Sequence, residues 1–196
     1  MSTTSGSSRK MPFFLTDDAL TEEIIAFLVK CGAHVVPHSD RSLLDHLVAV
    51  SRIAARWTPM HEVRIAALLH SYYSHLCEST TRGPLRALVG NKVEEVVWCF
   101  SFYNQRAACD SGTRGILLPP KKRITQHHHA LPSYSAQKPL LEALWTIDLA
   151  NFLEQLPFIR IGESELQAEV DSFFYAASFL PNAAMDDLNK LFPGRA

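Results

Sequence analysis

Apolar residues recur every three or four positions along most of this chain, a period that predicts helices rather than strands. A first helix of about 15 residues is predicted after Thr16, with Ala19, Leu20, Ile24, Phe27 and Leu28 on one face and Gly32 at its end. A second is predicted over 40–57, prepared by Pro37 and Ser39, with the stripe Leu43, His46, Leu47, Val50, Ile53 and Ala54. Pro59 separates it from a third over 61–76, whose stripe is Val63, Ala66, Ala67, His70 and Tyr73. A short helix over 84–89 leads to one that Asn91 caps and that carries Val93, Val96, Val97, Phe100 and Tyr103. The pattern resumes near Pro139 with Leu141, Leu144, Trp145, Asp148 and Phe152, and segments 164–180 and 182–191 complete the chain. Neither strand alternation nor an internal repeat stands out. The expected architecture is all-α: a flexible tail over 1–15, then one helical domain over 16–196 with about 6–8 helices.

One stretch departs from this pattern. Gly112, Gly115, Pro119, Pro120 and Pro132 punctuate a polar segment over 110–135 that also holds Lys121, Lys122, Arg123 and the run His127, His128, His129. A loop of that length inside one domain is usually a functional lid or mobile, so mobility is expected here.

Composition narrows the class without naming a chemistry. At 196 residues with 47% hydrophobic content the chain can bury one sizeable core. Nineteen Lys and Arg against twenty Asp and Glu leave a formal charge of -1, so no broad field draws in nucleic acid or an anionic membrane, and neither is expected as a partner. Residues 1–10 lack the apolar core of a secretory signal, and no run approaches the roughly 20 apolar residues that span a bilayer. Cys31, Cys77, Cys99 and Cys109 form no CxxC pair, which reads as reduced thiols and a cytoplasmic protein.

Three ionisable residues, His46, His70 and Asp148, fall inside apolar stripes of different predicted helices. An unpaired polar group there costs a few kcal/mol, so each needs a partner. Two imidazoles and a carboxylate suit a divalent ion such as Zn, Mn or Fe, and such an ion makes hydroxide available near neutral pH. A buried histidine satisfied by a serine or a backbone carbonyl is the plainer alternative at each position. His38, eight positions before His46, is either a further ligand or a solvent-facing residue; His61 and His75 read as surface or helix-end residues. His127, His128 and His129 can bind adventitious metal or close over a site. Lys121, Lys122 and Arg123 are either a phosphate contact or a solvated face.

The order of these residues resembles a known family. Arg41-Ser-Leu-Leu-Asp-His46-Leu, then Ile65-Ala-Ala-Leu-Leu-His70-Ser71, is similar to the opening of HD-domain proteins, where a His on one helix precedes an AALLHD motif on the next. Leu144-Trp-Thr-Ile-Asp148-Leu-Ala resembles the later helix that supplies that family's last aspartate. The likeness covers about 38–155 and also resembles a small HD-like group reading HS-x-Y, here His70, Ser71 and Tyr73. It implies a helical bundle whose His46, His70 and Asp148 hold a divalent metal, and hydrolysis of a small, phosphorylated molecule. The departure is Ser71, which stands where the family has the Asp of its HD pair and offers a neutral hydroxyl instead of a carboxylate. What remains is a two-His, one-carboxylate set, the ligand composition of mononuclear non-heme iron sites. The expectation is therefore a metal-dependent hydrolase with His38 and His75 as acid or base candidates. The alternatives are a metal-free HD-derived scaffold that binds a ligand or protein, and an iron oxygenase of HD-like type.

Overall fold

The computed structural model describes residues 19–77, 81–105, 116–118, 121 and 132–194. Thr16, the tail over 1–15, Cys109, Gly112, Gly115, Pro119, Pro120, Lys122, Arg123 and the run from His127 to His129 lie outside the described residues, as does most of the stretch expected to be mobile.

The helices begin and end where local chemistry requires it. Helix α1 (Ala19–Lys30) closes at Gly32, whose φ of 88° only glycine adopts without strain, and Ala33 N–H returns to the Leu28 carbonyl. Helix α2 (Leu43–Trp57) starts three residues later than its pattern predicts, because Pro37–His38 (β1) and Arg41–Ser42 (β2) pair as a small antiparallel hairpin. Ser42 caps α2: its side chain accepts from Asp45 N–H, and Asp45 reaches back to the Ser42 backbone in a capping box. Thr58 ends it in extended backbone, as the residue before Pro59 must.

Helix α3 (His61–Leu69) stops seven residues short of the predicted 61–76. His70 and Ser71 form a turn, and Tyr72–Leu76 continues as one turn of π-helix, closed by Cys77 N–H on the Tyr72 carbonyl. Single π turns of this kind recur at functional sites. Helix α4 (Gly83–Phe102) keeps the predicted break between its halves at Gly90 (φ 80°, ψ 170°). A second small hairpin, β3 (Ile116–Leu118) with β4 (Tyr134–Ala136), corrects the reading of 110–135 as loop throughout. Three residues are too few for alternation to show. Helix α5 (Lys138–Gln155) opens on Pro139, and α6 (Glu163–Tyr175) with the 3-10 turn Ala177–Phe179 divides the predicted 164–180. Helix α7 (Asn182–Leu191) follows Pro181.

The fold is thus an all-α bundle of seven α-helices among the described residues. Helix α2 packs on α3 and α5, and α3 packs on α4 and α5, so three helices meet along α2. Leu43, Leu47, Leu68, Leu69, Leu144 and Ile147 fill the space between them with no exposed surface. Truncating one of these leucines to Ala removes about 2–5 kcal/mol. Among the described residues no helix is long and apolar enough to cross a membrane. On the far side of α3, the fully buried Glu94 carboxylate accepts from Arg82 Nε and Nη2, from Arg86 and from Tyr73 Oη. Burial pushes this carboxyl up, but those donors outweigh it and hold the group below its ordinary range.

Candidate functional site

The capping box aims α2 so that His46, one turn in, points into the bundle, and the end of α3 delivers His70 to the same place. Their Nε2 atoms stand 3.3 Å apart, with both rings enclosed (0% and 2% exposed). Behind each ring the Nδ1 is occupied. His46 Nδ1 lies 2.6 Å from Glu154 Oε2, on the last turn of α5, and His70 Nδ1 lies 2.8 Å from the Ala67 carbonyl. Arg41 Nη2 binds the other Glu154 oxygen, so the carboxylate is paired with a permanent cation and accepts rather than donates. A carbonyl likewise only accepts. Both Nδ1 atoms therefore carry the proton, and both neutral rings present bare Nε2 lone pairs to one another.

Protonation does not resolve that opposition at neutral pH. Burial depresses His70 to about 4, with Lys121, His38 and His75 adding to the effect against the hydrogen bond to Ala67. Burial, then the neighbouring His70, moves His46 down from the ordinary imidazole range.

The surroundings extend the cluster toward the surface. The His38 ring stacks on His46 (centroids 4.1 Å apart, 30° between planes), and the exposed His75 meets the His38 ring edge-on at 6.2 Å. Of the two acid-base candidates, His38 therefore adjoins the pair and His75 adjoins His38. On the inner side Phe100 packs edge-on to His70, and Lys121 Nζ lies over Phe100 and donates to its carbonyl.

His46 and His70 are brought together as their stripes predict. Asp148 is buried on α5, six residues and about 9 Å of helix rise before Glu154. The α5 carboxylate that touches His46 is Glu154, which the apolar pattern did not single out. Its signal was the column Ile147, Ala150, Glu154, masked because α5 is buried almost all round. Ser71 is buried, and His61 is half-buried as the first residue of α3.

The pair fits a divalent ion in spacing and chemistry. With Zn–N bonds of about 2.05 Å and a tetrahedral angle, two ligand nitrogens stand about 3.3 Å apart and their ring centres about 5.2 Å. The observed values are 3.3 Å and 5.1 Å. The stacked His38, at 4.1 Å, lies too close to His46 for the same convergence. Among the described residues, no three His, Cys, Asp or Glu side chains are grouped so as to hold a metal. A cavity of about 580 Å³ opens at the other end of α3 between Met60, Val63, Glu95, Tyr134 and Leu140, separate from the histidine pair.

Residues 27–105, under half of the chain, are similar to a family described as a domain of unknown function (DUF6817). The matched segment contains His38, Arg41, His46, His70 and His75 and stops before Asp148 and Glu154. No curated protein and no solved structure matches the chain.

Proposed function

We propose that this chain is a divalent-metal-dependent hydrolase of HD-like kind acting on a small phosphorylated molecule, with His46 and His70 as its imidazole ligands. The observation that carries this reading is the pair of buried Nε2 lone pairs facing one another at 3.3 Å. Lone pairs at that separation repel, and a cation between them turns repulsion into two bonds. The carboxylate behind His46 and the carbonyl behind His70 are the kind of partners that orient metal-binding imidazoles.

His46 and His70 would hold the ion, which would supply hydroxide chemistry near neutral pH. In this reading Glu154 holds the His46 tautomer, and Arg41 is the counter-charge of Glu154. His38 and His75, linked ring to ring from His46 to the exterior, are the acid and base. The second reading is a metal-free binding module, which Ser71 favours because a buried hydroxyl replaces the carboxylate that the resemblance implies.

Elemental analysis separates the two. Wild-type chain incubated with Zn(II), Mn(II) or Fe(II) is expected to retain about one equivalent, and His46→Ala and His70→Ala to retain almost none. If wild type takes up none of the three ions, the hydrolase reading fails and the binding module stands.

A further inference from the structure

The hairpin that precedes α2 carries two nitrogens with nothing to bond to. His38 and Arg41 are directly opposed across β1 and β2, so their side chains leave the same face of the ladder. Both bear on the histidine site: His38 stacks on His46, while Arg41 pairs with Glu154 and lies over the Phe158 ring, 4.4 Å from its centre. Yet His38 Nε2 and Arg41 Nε are buried and have no hydrogen-bond partner, and they are the only such side-chain atoms among the described residues.

That coincidence has a physical reading. Arg41 Nε can only donate, because the guanidinium is never deprotonated. In its Nε2–H tautomer His38 donates as well. Leaving a buried donor unsatisfied costs about 1–3 kcal/mol, and two such donors on one two-residue ladder call for a shared acceptor. The missing partner is an acceptor with several lone pairs, and an oxyanion supplies them. Hydrogen bonds in which the acceptor is ionised are stronger than those between neutral groups. Arg41 is 22% exposed, which sets the pair at the rim of the site, and a ladder two residues long is held weakly enough to admit a guest.

We infer that the 37–42 hairpin is an oxyanion subsite, in which Arg41 Nε–H and His38 Nε2–H grip a phosphate-type group beside His46. This rests on reading the histidine pair as a substrate site, and it adds the residues that hold the substrate's charged end. It gives the short hairpin a role: the turn at Ser39, whose φ of 54° is unusual for a non-glycine residue, sets the two donors opposite one another.

The test uses inorganic phosphate and the full chain stripped of metal with chelator, so that it is independent of metal uptake. Calorimetric titration of wild type is expected to give saturable binding. His38→Phe keeps the stack on His46 and removes the donor; Arg41→Lys keeps the charge beside Glu154 and removes Nε. Each is expected to weaken phosphate at least tenfold, a loss of about 1.4 kcal/mol. Arg56→Lys, on an exposed arginine that pairs with Asp187, is expected to bind as wild type does. Circular dichroism of each variant checks the fold, and His38→Phe carries the test if Arg41→Lys does not fold. Acetate as competitor distinguishes the oxyanion: displacement of phosphate only at far higher concentration assigns the subsite to phosphate. Displacement at equal concentration overturns that assignment in favour of a carboxylate. No phosphate binding by wild type, or equal binding by wild type and both variants, overturns the subsite. A chain that binds phosphate here but takes up no metal would lose the hydrolase reading and keep the subsite.

Discussion

His46 and His70 face each other through their Nε2 atoms at 3.3 Å, each with its Nδ1 turned away to an acceptor. The metal-free protein must therefore keep two imidazoles neutral in a closed space. His70 is held to about 4 by burial, against 6.5 for an ordinary histidine. Between those values the unfolded chain binds a proton that the folded chain refuses. Stability is thus full above about pH 6.5 and falls as the pH drops toward 4, by roughly 3 kcal/mol from His70 alone. Urea denaturation of chelator-treated protein at several pH values across this window should show the decline. His70→Ala should make it shallower, leaving the part that the burial of His46 contributes, and an unchanged slope in that variant would locate the proton elsewhere.

Glu154 joins Arg41 to His46, so replacing it breaks two contacts at once. Glu154→Ala leaves Arg41 without its counter-charge and His46 without its acceptor, a loss of about 3–5 kcal/mol for a buried pair broken on one side. Glu154→Gln keeps an acceptor oxygen but not the charge. It should fold with a smaller loss and bind metal about 10–100-fold more weakly, because the His46 ring is no longer held by a carboxylate. Thermal denaturation reads the first effect and metal titration the second. Equal metal affinity in Glu154→Gln and wild type would remove Glu154 from the site.

Gly90 breaks α4 in a conformation (φ 80°, ψ 170°) that other residues avoid, although a Cβ there would meet no atom within 4 Å. Space is not the constraint, and backbone strain is. Gly90→Ala should cost about 1–3 kcal/mol in chemical denaturation. Gly83→Ala, also in open space but without positive φ, should be neutral or slightly stabilising. Equal stability of the two variants would mean that α4 straightens through residue 90 without loss.

Helix positions and the inward direction of His46 and His70 were legible because each lies in a single apolar stripe. Glu154 was not. Helix α5 is enclosed on nearly every side, so a period of 3.6 has no polar face to stand against, and a buried acid at its end looks like an exposed one. The hairpin at 37–42 and the π turn after Ser71 escaped for another reason. Both are set by backbone pairing over two to five residues, below the length at which side-chain periodicity carries information. They also place His38, Arg41 and His75, so the chemistry of the rim depended on the elements hardest to read.

Ser71 offers the sharpest test of how the histidine pair is used. It is buried and follows His70 directly, at the head of the π turn. A carboxylate at this position has no water to solvate it, so Ser71→Asp should be less stable than wild type in chelator. In the HD-like reading, where residue 71 takes the place of the family's metal-binding Asp, the same carboxylate adds an anionic ligand, and a ligand bound only by the folded state stabilises it by mass action. At a metal concentration of about 100 times Kd the gain is about 2.7 kcal/mol, and tighter binding raises it at fixed metal. Zn(II) or Mn(II) should therefore raise the melting temperature of Ser71→Asp more than that of wild type, and Ser71→Asp combined with His70→Ala should lose the increment. A shift that appears in none of these chains would show that the two imidazoles do not take an ion even with the carboxylate supplied. The facing lone pairs would then belong to a binding pocket whose guest is a hydrogen-bond donor.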